Sequence, residues 1–225
     1  MSPPTALLQR IALRTLLSRW LWPPYRHMFT PPQLAFMGLE LEKAPAGTAL
    51  EIGCANGEST VWLNRWLDAA GIGRRYIAID TFAGFPSRDI AVEAERGRDI
   101  KPLARSFRGP TRQRFEHALR VNGIRRVEAV AADATTVEYS RFAPVAFALV
   151  DVDLYRSVHE VLDRLYPHLA KGGVIIVDDC GGPGIFEGAG EAYKEFCHQR
   201  GLVEHIEHGK LGVIRRQRAA VDDSR

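Results

Sequence analysis

The chain has 225 residues, of which 46% are hydrophobic and 25% charged, so it can form one domain with a full apolar core and a short appendage. Its net charge of +3 is small, and lysines and arginines run no further than pairs, which argues against a nucleic-acid-binding protein. No stretch holds the roughly 18 apolar residues of a transmembrane helix. The three cysteines lack metal-ligand spacing and indicate reduced thiols in a cytoplasmic protein.

Residues 1–45 are predicted to form a helical extension ahead of the main domain. The first helix, over 5–22, is rich in Leu and Trp and ends before two consecutive prolines. Its arginines and leucines share one side, so we expect it to pack on the domain or on a second copy of the chain, as a homodimer, rather than lie in a membrane surface. A second helix is predicted near 31–43, with Thr30 as its N-cap and Pro31 as its first residue.

From residue 48 onward, short apolar runs alternate with helical stretches, which indicates a parallel sheet covered by helices on both faces. The last two predicted strands are separated by only three residues, so they must be antiparallel. The predicted fold class is therefore α/β, a doubly wound Rossmann-like methyltransferase sheet of five parallel strands plus a C-terminal antiparallel hairpin. The predicted strands are 48–54, 75–80, 127–133, 147–153, 173–179, 202–207 and 211–216, and the helices lie near 58–69, 111–121, 156–169 and 188–199.

The predicted domain spans 46–217 and contains one unusually long connection, residues 82–115. A connection of this size in a compact domain is usually a functional lid or a mobile segment. We therefore predict that residues 86–110 are mobile without ligand and become ordered over it. The tail, 218–225, is predicted to be disordered.

The segment "EIGCANGEST", residues 51–60, ends the first strand and begins a helix. Its glycines allow a tight turn and a close backbone approach to a ligand, although any strand-to-helix turn may use two glycines. The dinucleotide fingerprint G-x-G-x-x-G is absent, because Ala55 stands at the second glycine position. This favours a ligand without a phosphate, with Glu51 holding a cationic or hydroxylated group. The predicted cofactor-binding residues here are Glu51, Gly53, Cys54, Ala55, Asn56, Gly57 and Ser59.

Two further acids end the next two strands. Asp80 is placed to bind ribose hydroxyls in a doubly wound fold, and Asp133 could accept from an adenine amino group. Either acid could instead cap a helix. Together with the glycine turn they predict a nucleoside-like cofactor, and their neighbours Thr81 and Ala134 are included in the site.

Two pairs of acids follow the fourth and fifth strands. Asp151 and Asp153 end one strand and Asp178 and Asp179 the next, so four carboxylates are expected within a small volume. Uncompensated, they would repel one another, and a divalent cation resolves the conflict. Oxygen ligands without Cys or His predict Mg²⁺ or another hard divalent cation rather than Zn²⁺. Alternatively, some of these acids cap helices or pair with arginines such as Arg156.

A family resemblance rests on these segments. "LVDVDLYRSVHEVLDRLYPHLAKGGVIIVDD", residues 149–179, resembles the signature region of the macrocin O-methyltransferase family, metal-dependent sugar methyltransferases that tailor macrolide and aminocoumarin antibiotics. "DTFAGFP", residues 80–86, is similar to that family's segment after the second strand. The resemblance extends over about 46–217 and is strongest at 147–180.

The resemblance implies a methyl transfer from S-adenosyl-L-methionine to a hydroxyl of a small molecule, a sugar or glycoside diol. It implies that Asp151, Asp178 and Asp179 hold Mg²⁺ and that Asp153 is the general base. The alternatives are a metal-dependent methyltransferase of catechols or phenols, an NAD(P)-dependent oxidoreductase, and a non-catalytic member that binds the cofactor and regulates a partner.

Overall fold

The computed structural model describes residues 28–103, 106–107, 109, 111–182 and 184–217. The predicted helix at 5–22, the homodimer through it and the tail at 218–225 lie outside these residues. Within the described ranges, every helix is too short or too polar to span a bilayer.

A seven-stranded sheet in the order β3-β2-β1-β4-β5-β7-β6 forms the centre of the domain. The first five strands are parallel, and β7 runs antiparallel to both β5 and β6. This confirms the predicted fold class. Strand order reverses between β1 and β4, which is where open α/β sheets bind ligands. The strands are β1 Thr48–Ile52, β2 Tyr76–Asp80, β3 Val127–Ala131, β4 Val145–Val150, β5 Leu169–Val177, β6 Ile206–Glu207 and β7 Leu211–Arg215.

Six α-helices are present in the described part of the chain. Thr30 is the N-cap of the first, as predicted, and its N–H donates to the Gln33 side chain at 2.8 Å. The third helix was not predicted, because it lies within the connection interpreted as a lid. The helices are α1 Pro31–Lys43, α2 Glu58–Ala69, α3 Ser87–Glu95, α4 Arg112–Val121, α5 Tyr155–Leu165 and α6 Glu187–Gln199, and short 3₁₀ helices lie at Ala134–Thr136, Tyr139–Phe142 and Tyr166–His168.

The core has a layer on each face of the sheet. On one face α5 and α6 pack through residues such as Val161 and Phe196, and on the other α1 and α2 pack through residues such as Met37 and Leu63. All six residues of β4 are buried, so this strand contacts both layers. Burial of a large apolar side chain contributes roughly 1.5–3 kcal/mol, and this central strand therefore holds the acids that follow it in a fixed place.

Four predicted strands end two or three residues earlier than expected, among them the two that lead to the acid pairs. The fourth ends at Val150 and the fifth at Val177, so all four acids lie just beyond the sheet. The reason is the backbone: Asp153 and Asp179 have φ values of 63° and 56°, the left-handed region that turns a chain out of a strand. The acids therefore stand at the carboxyl edge, where the N–H groups of Asp151 and Asp178 still donate to the carbonyls of Ile52 and Val150 at 2.8 and 2.9 Å. The chain turns away from the sheet at Asp153 and Asp179.

Candidate active site

A cavity of about 490 Å³ opens at the carboxyl ends of the parallel strands, a size typical of small-molecule sites. One half is formed by the turn after β1 and the ends of β2 and β3, and the other by the acids after β4 and β5. Thirteen of the predicted site residues line it: Gly53, Cys54, Ala55, Asn56, Ser59, Asp80, Thr81, Asp133, Ala134, Asp151, Asp153, Asp178 and Asp179.

The glycine turn, residues 53–57, runs directly over the end of β4. Gly53 has a φ of 94°, and a Cβ added to it would lie 1.8 Å from the carbonyl oxygen of Asp151. Only glycine permits this approach. The two halves of the cavity are thus in backbone contact, which places a ligand of the turn beside the acids.

Asp80 connects the end of β2 to the glycine turn. Its carboxylate accepts from the N–H of Ala55 at 2.8 Å and from the N–H of Phe82 at 2.7 Å. Each carboxylate oxygen can accept further hydrogen bonds. Asp80 is therefore fixed in orientation at the edge of the cavity, and its contact with ribose hydroxyls stays a prediction.

Asp133 acts as a helix cap, the alternative that the sequence left open. Its Oδ1 accepts from the N–H of Thr135 at 2.9 Å and from its hydroxyl at 2.7 Å, and its other oxygen pairs with Arg88. Burial acts to raise the pKa of this carboxyl, but the Thr135 hydrogen bonds and the charge of Arg88 lower it overall. Asp133 lines the cavity as an anion, and its contact with an adenine ring stays a prediction.

Glu51 and Gly57 do not line the cavity, and this corrects their predicted direct contact with the cofactor. Glu51 is fully buried beneath the turn and accepts from the hydroxyls of Ser59 at 2.5 Å and Tyr76 at 2.7 Å. Burial raises the pKa of this carboxyl despite those hydrogen bonds. A Cβ on Gly57, which precedes α2, would lie 2.9 Å from the ring of Phe115. Both residues support the turn from behind.

The acid cluster, which we define as Asp151, Asp153, Asp178 and Asp179, lies in the other half of the cavity. Asp153 and Asp178 are buried, while Asp151 and Asp179 keep some exposure. A non-glycine residue in the left-handed region costs about 1–3 kcal/mol, and such residues concentrate at functional sites. Asp153 and Asp179 both adopt it.

Burial and mutual repulsion raise the pKa values in the acid cluster. Burial is the largest cause for Asp151 and Asp153, and the neighbouring carboxylates add to it. The same causes raise the pKa of Asp178 to about 6. Because like charges at close range oppose joint ionisation, the cluster requires a positive partner to be fully ionised near neutral pH.

Lys210 supplies positive charge to this cluster, and sequence reasoning missed it. Its Nζ lies 2.7 Å from Oδ2 of Asp178 and 3.4 Å from Oδ1 of Asp179. The signal was available, because a hairpin that pairs antiparallel with β5 brings its preceding turn to the carboxyl end of that strand. Arg156, the cation considered from the sequence, pairs with Asp89 and Glu160 instead.

The acid cluster is not arranged as a ready-made metal centre. Among the described residues, no three or more His, Cys, Asp or Glu side chains are grouped so that they could hold a metal ion. The predicted set of three Mg²⁺ ligands is therefore not assembled in this conformation, where Lys210 occupies the space beside Asp178 and Asp179. The carboxylate oxygens of the cluster are still suitable ligands for a hard cation. In particular, Oδ1 of Asp178 is buried without a hydrogen-bond partner, so a cation could bind to it.

The model of the macrocin-O-methyltransferase (TylF) family matches residues 39–214 of the chain. The chain belongs to that family. It is an S-adenosylmethionine-dependent O-methyltransferase, as the family resemblance implied, and the alternative of an NAD(P)-dependent oxidoreductase is not supported. No curated protein sequence matches the chain.

Solved structures share the fold at low sequence identity. The O-methyltransferase NovP superposes with a TM-score of 0.72 at 18% identity, over 95% of this chain and 100% of NovP. The calicheamicin methyltransferase CalS11 gives a TM-score of 0.66 at 18% identity, over 96% of this chain and 93% of CalS11. A putative caffeoyl-CoA O-methyltransferase from Staphylococcus aureus gives 0.59 at 12% identity, over 94% and 98%.

We predict that Asp80→Ala weakens binding of S-adenosylhomocysteine at least tenfold, about 1.4 kcal/mol. The substitution removes both the ribose acceptor and the bond that holds the N–H of Ala55. Calorimetric titration measures the affinity, and Asp68→Ala, which removes an exposed carboxylate paired with Arg126, is the control. Unchanged affinity in Asp80→Ala would show that the nucleoside does not bind at the end of β2.

Proposed function

We propose that this family member methylates a hydroxyl of a sugar or glycoside diol, with assistance from Mg²⁺ or a similar hard cation. The observation that supports this most directly is the contact between Gly53 and the carbonyl of Asp151. It joins the two halves of one cavity: the half formed by the turn after β1 and the ends of β2 and β3, which we call the cofactor half, and the half formed by the acid cluster, which we call the acid half. The chain is similar in fold to the O-methyltransferase NovP and to CalS11, a TDP-rhamnose 3'-O-methyltransferase. This similarity agrees with the proposal without naming the acceptor.

Alignment is the main task of the protein in such a reaction. Bound S-adenosyl-L-methionine would supply a methyl group on a good leaving group. The protein therefore gains most by holding donor and acceptor in line. The glycine turn and Asp80 would fix the donor, while Phe85 and Phe107, in edge contact at 5.2 Å between ring centroids, cover the cavity with apolar surface.

Asp153 is the general base in this proposal. It lines the cavity and is buried, and burial together with Asp179 and Asp178 raises its pKa above the usual value. A base whose pKa lies closer to the working pH takes a proton from a hydroxyl more effectively. Lys210 opposes this rise, and positive charge near the cluster favours the ionised form that accepts the proton.

Asp151, Asp178 and Asp179 would hold the metal ion. A bound cation would lower the cost of ionising an acceptor hydroxyl. A diol suits such a site because neighbouring hydroxyls offer two hard oxygen ligands. A phenolic acceptor is the second candidate, favoured by the aromatic rings that line the cavity.

The first test of the proposal concerns the base. With methyl α-L-rhamnopyranoside and catechol as probe acceptors, we expect Asp153→Asn to lower kcat by about 10²–10⁴, the usual share of a general base. Asp163→Asn, an exposed carboxylate on α5 paired with Arg200, is the control. If Asp153→Asn retains the wild-type rate on every acceptor that the wild type methylates, another group takes the proton.

Chelation tests the metal separately. We expect exhaustive treatment with EDTA to abolish methyl transfer and added Mg²⁺ to restore it, while the affinity for S-adenosylhomocysteine is retained because the cofactor half holds no proposed ligand. Transfer and calorimetry are measured on the same sample. Full activity after chelation would assign the charge compensation to Lys210.

Lys210 and the cation should compete for the acid cluster. We expect Lys210→Met to bind Mn²⁺ about tenfold more tightly, equivalent to 1.4 kcal/mol, because the ammonium no longer pairs with Asp178. Paramagnetic relaxation of water protons reports Mn²⁺ binding directly, without any acceptor. Lys194→Met, on the exposed side of α6, controls for the loss of one positive charge. Equal or weaker Mn²⁺ binding in Lys210→Met would show that Lys210 and the ion do not share a position.

A further inference from the structure

Two acids of α3 are buried although this helix lies in the connection predicted to be a lid. Asp89 has no exposed surface and Glu93 is 1% exposed. They are four residues apart and therefore lie on the same side of the helix. Buried carboxylates are costly unless each oxygen has a partner, so the partners reveal what this helix holds.

The partners lie in the first turn of α5. The carboxylate of Asp89 accepts from Nη1 of Arg156 at 2.6 Å and from the hydroxyl of Ser157 at 2.7 Å. Oε1 of Glu93 accepts from the backbone N–H of Tyr155 at 2.6 Å. We call this set the α3–α5 contact. Three consecutive residues of α5 are thus held by one face of α3.

Glu93 takes the place of a missing helix cap. The N-cap of α5 is Leu154, whose side chain cannot accept a hydrogen bond from the helix. The first N–H groups of a helix need acceptors and favour negative charge. Glu93 provides both from a neighbouring helix, and its Oε2 is held in turn by Nη1 of Arg98 at 2.6 Å.

The structure leaves room for this arrangement at Gly188 on α6. A Cβ added there would lie 2.6 Å from Oε1 of Glu93 and 2.8 Å from the nitrogen of Tyr155. Any side chain at this position would push apart the two atoms of the hydrogen bond. Helices α3, α5 and α6 therefore approach one another closely at Gly188.

The contact adjoins the acid cluster along the chain. Asp153 lies two residues before Tyr155 and holds a left-handed φ of 63°. A strained backbone of this kind persists only where the surroundings fix it. On the other side of Asp153, the N–H of Asp151 donates to the carbonyl of Ile52 at 2.8 Å. Residues 151–154 are therefore fixed by β1 at one end and by α3 at the other.

We propose that Glu93 is a positioning residue that acts through the backbone of Tyr155 to keep Asp153 in its left-handed conformation, oriented for proton transfer. Asp89 supports it by holding Arg156 and Ser157. This role rests on the proposed function, in which Asp153 is the base. It also fixes α3 against α5, although α3 lies in the connection predicted to be mobile.

If Glu93 only stabilised the fold, its substitution would change different measured quantities. Loss of stability alone would lower the melting temperature and weaken cofactor binding along with turnover. Loss of positioning lowers kcat while the affinity for the cofactor is retained, since the interaction matters only during the chemical step. Both quantities must therefore be measured on each variant.

Two variants test the proposal. Glu93→Gln keeps the volume but removes the charge at the N-terminus of α5, and we expect kcat to fall about tenfold on whichever probe acceptor is methylated. Gly188→Ala leaves every carboxylate in place but separates Glu93 from Tyr155, and a displacement near 1 Å can cost about 10²-fold. In both variants the amide of Tyr155 should exchange hydrogen faster, while the affinity for S-adenosylhomocysteine stays within about twofold.

Glu191→Gln is the matched control. Glu191 lies on the exposed side of α6 and also pairs with Arg98, and with Arg96, but it accepts none of the hydrogen bonds of the α3–α5 contact. It should keep the wild-type kcat and the wild-type exchange at Tyr155. A loss in Glu191→Gln as large as that in Glu93→Gln would assign the effect to Arg98 and overturn the proposal.

Other outcomes also decide the matter. A wild-type kcat in Gly188→Ala with faster exchange at Tyr155 would show that Asp153 does not depend on the contact. Parallel losses of kcat and cofactor affinity would show a structural role only. If the wild type methylates neither probe, the proposed function fails by itself. Hydrogen exchange then shows whether Glu93 holds the backbone of Tyr155. Unchanged exchange at Tyr155 in both Glu93→Gln and Gly188→Ala would show that it does not, and would overturn the positioning role as well.

Discussion

The backbone contact between the turn after β1 and the end of β4 is the constraint on which the site depends. Gly53 lies so close to the carbonyl of Asp151 that no side chain fits between them. The contact forms where the strand order reverses, between the two central strands of the sheet. From there Asp80 holds the turn at Ala55, and Glu51 holds it from below through Ser59. One close approach thus sets the distance between the glycine turn and the acid cluster.

The sequence contained most of the fold and identified most of the residues that the fold brings together at one cavity. Apolar runs gave the strands, the three-residue separation gave the hairpin, and the strand ends placed Asp80 and Asp133 at the cavity. Glu51 was misplaced because the cavity lies beyond the strand ends, whereas this residue is still within β1, where its side chain faces α2. Proximity along the chain to a ligand-binding turn is therefore weaker evidence than position relative to the end of the strand.

Other features depend on contacts between distant parts of the chain. Helix α3 has an alternation of charged and apolar residues too weak to distinguish from a loop, and its burial comes from partners more than sixty residues away, such as Arg156 and Tyr155. Lys210 was missed for a related reason, since it lies 32 residues beyond Asp178 in the sequence. In both cases the sequence shows acids that must be paired if they are buried. Which residue pairs with them depends on the fold, which brings distant parts of the chain together.

The C-terminal hairpin also supplies the part of the site that comes last along the chain. The cofactor half is complete with residues up to 134, whereas β7 pairs with β5 and brings Lys210 against Asp178 only through the last part of the domain. Such non-local pairing forms slowly, and chains emerge from the ribosome N-terminus first. A nascent chain that ends before the hairpin carries the four acids without the lysine, and it leaves the outer side of β5 unpaired. The hairpin therefore both pairs the outer side of β5 and brings the positive charge of Lys210 to the acid cluster.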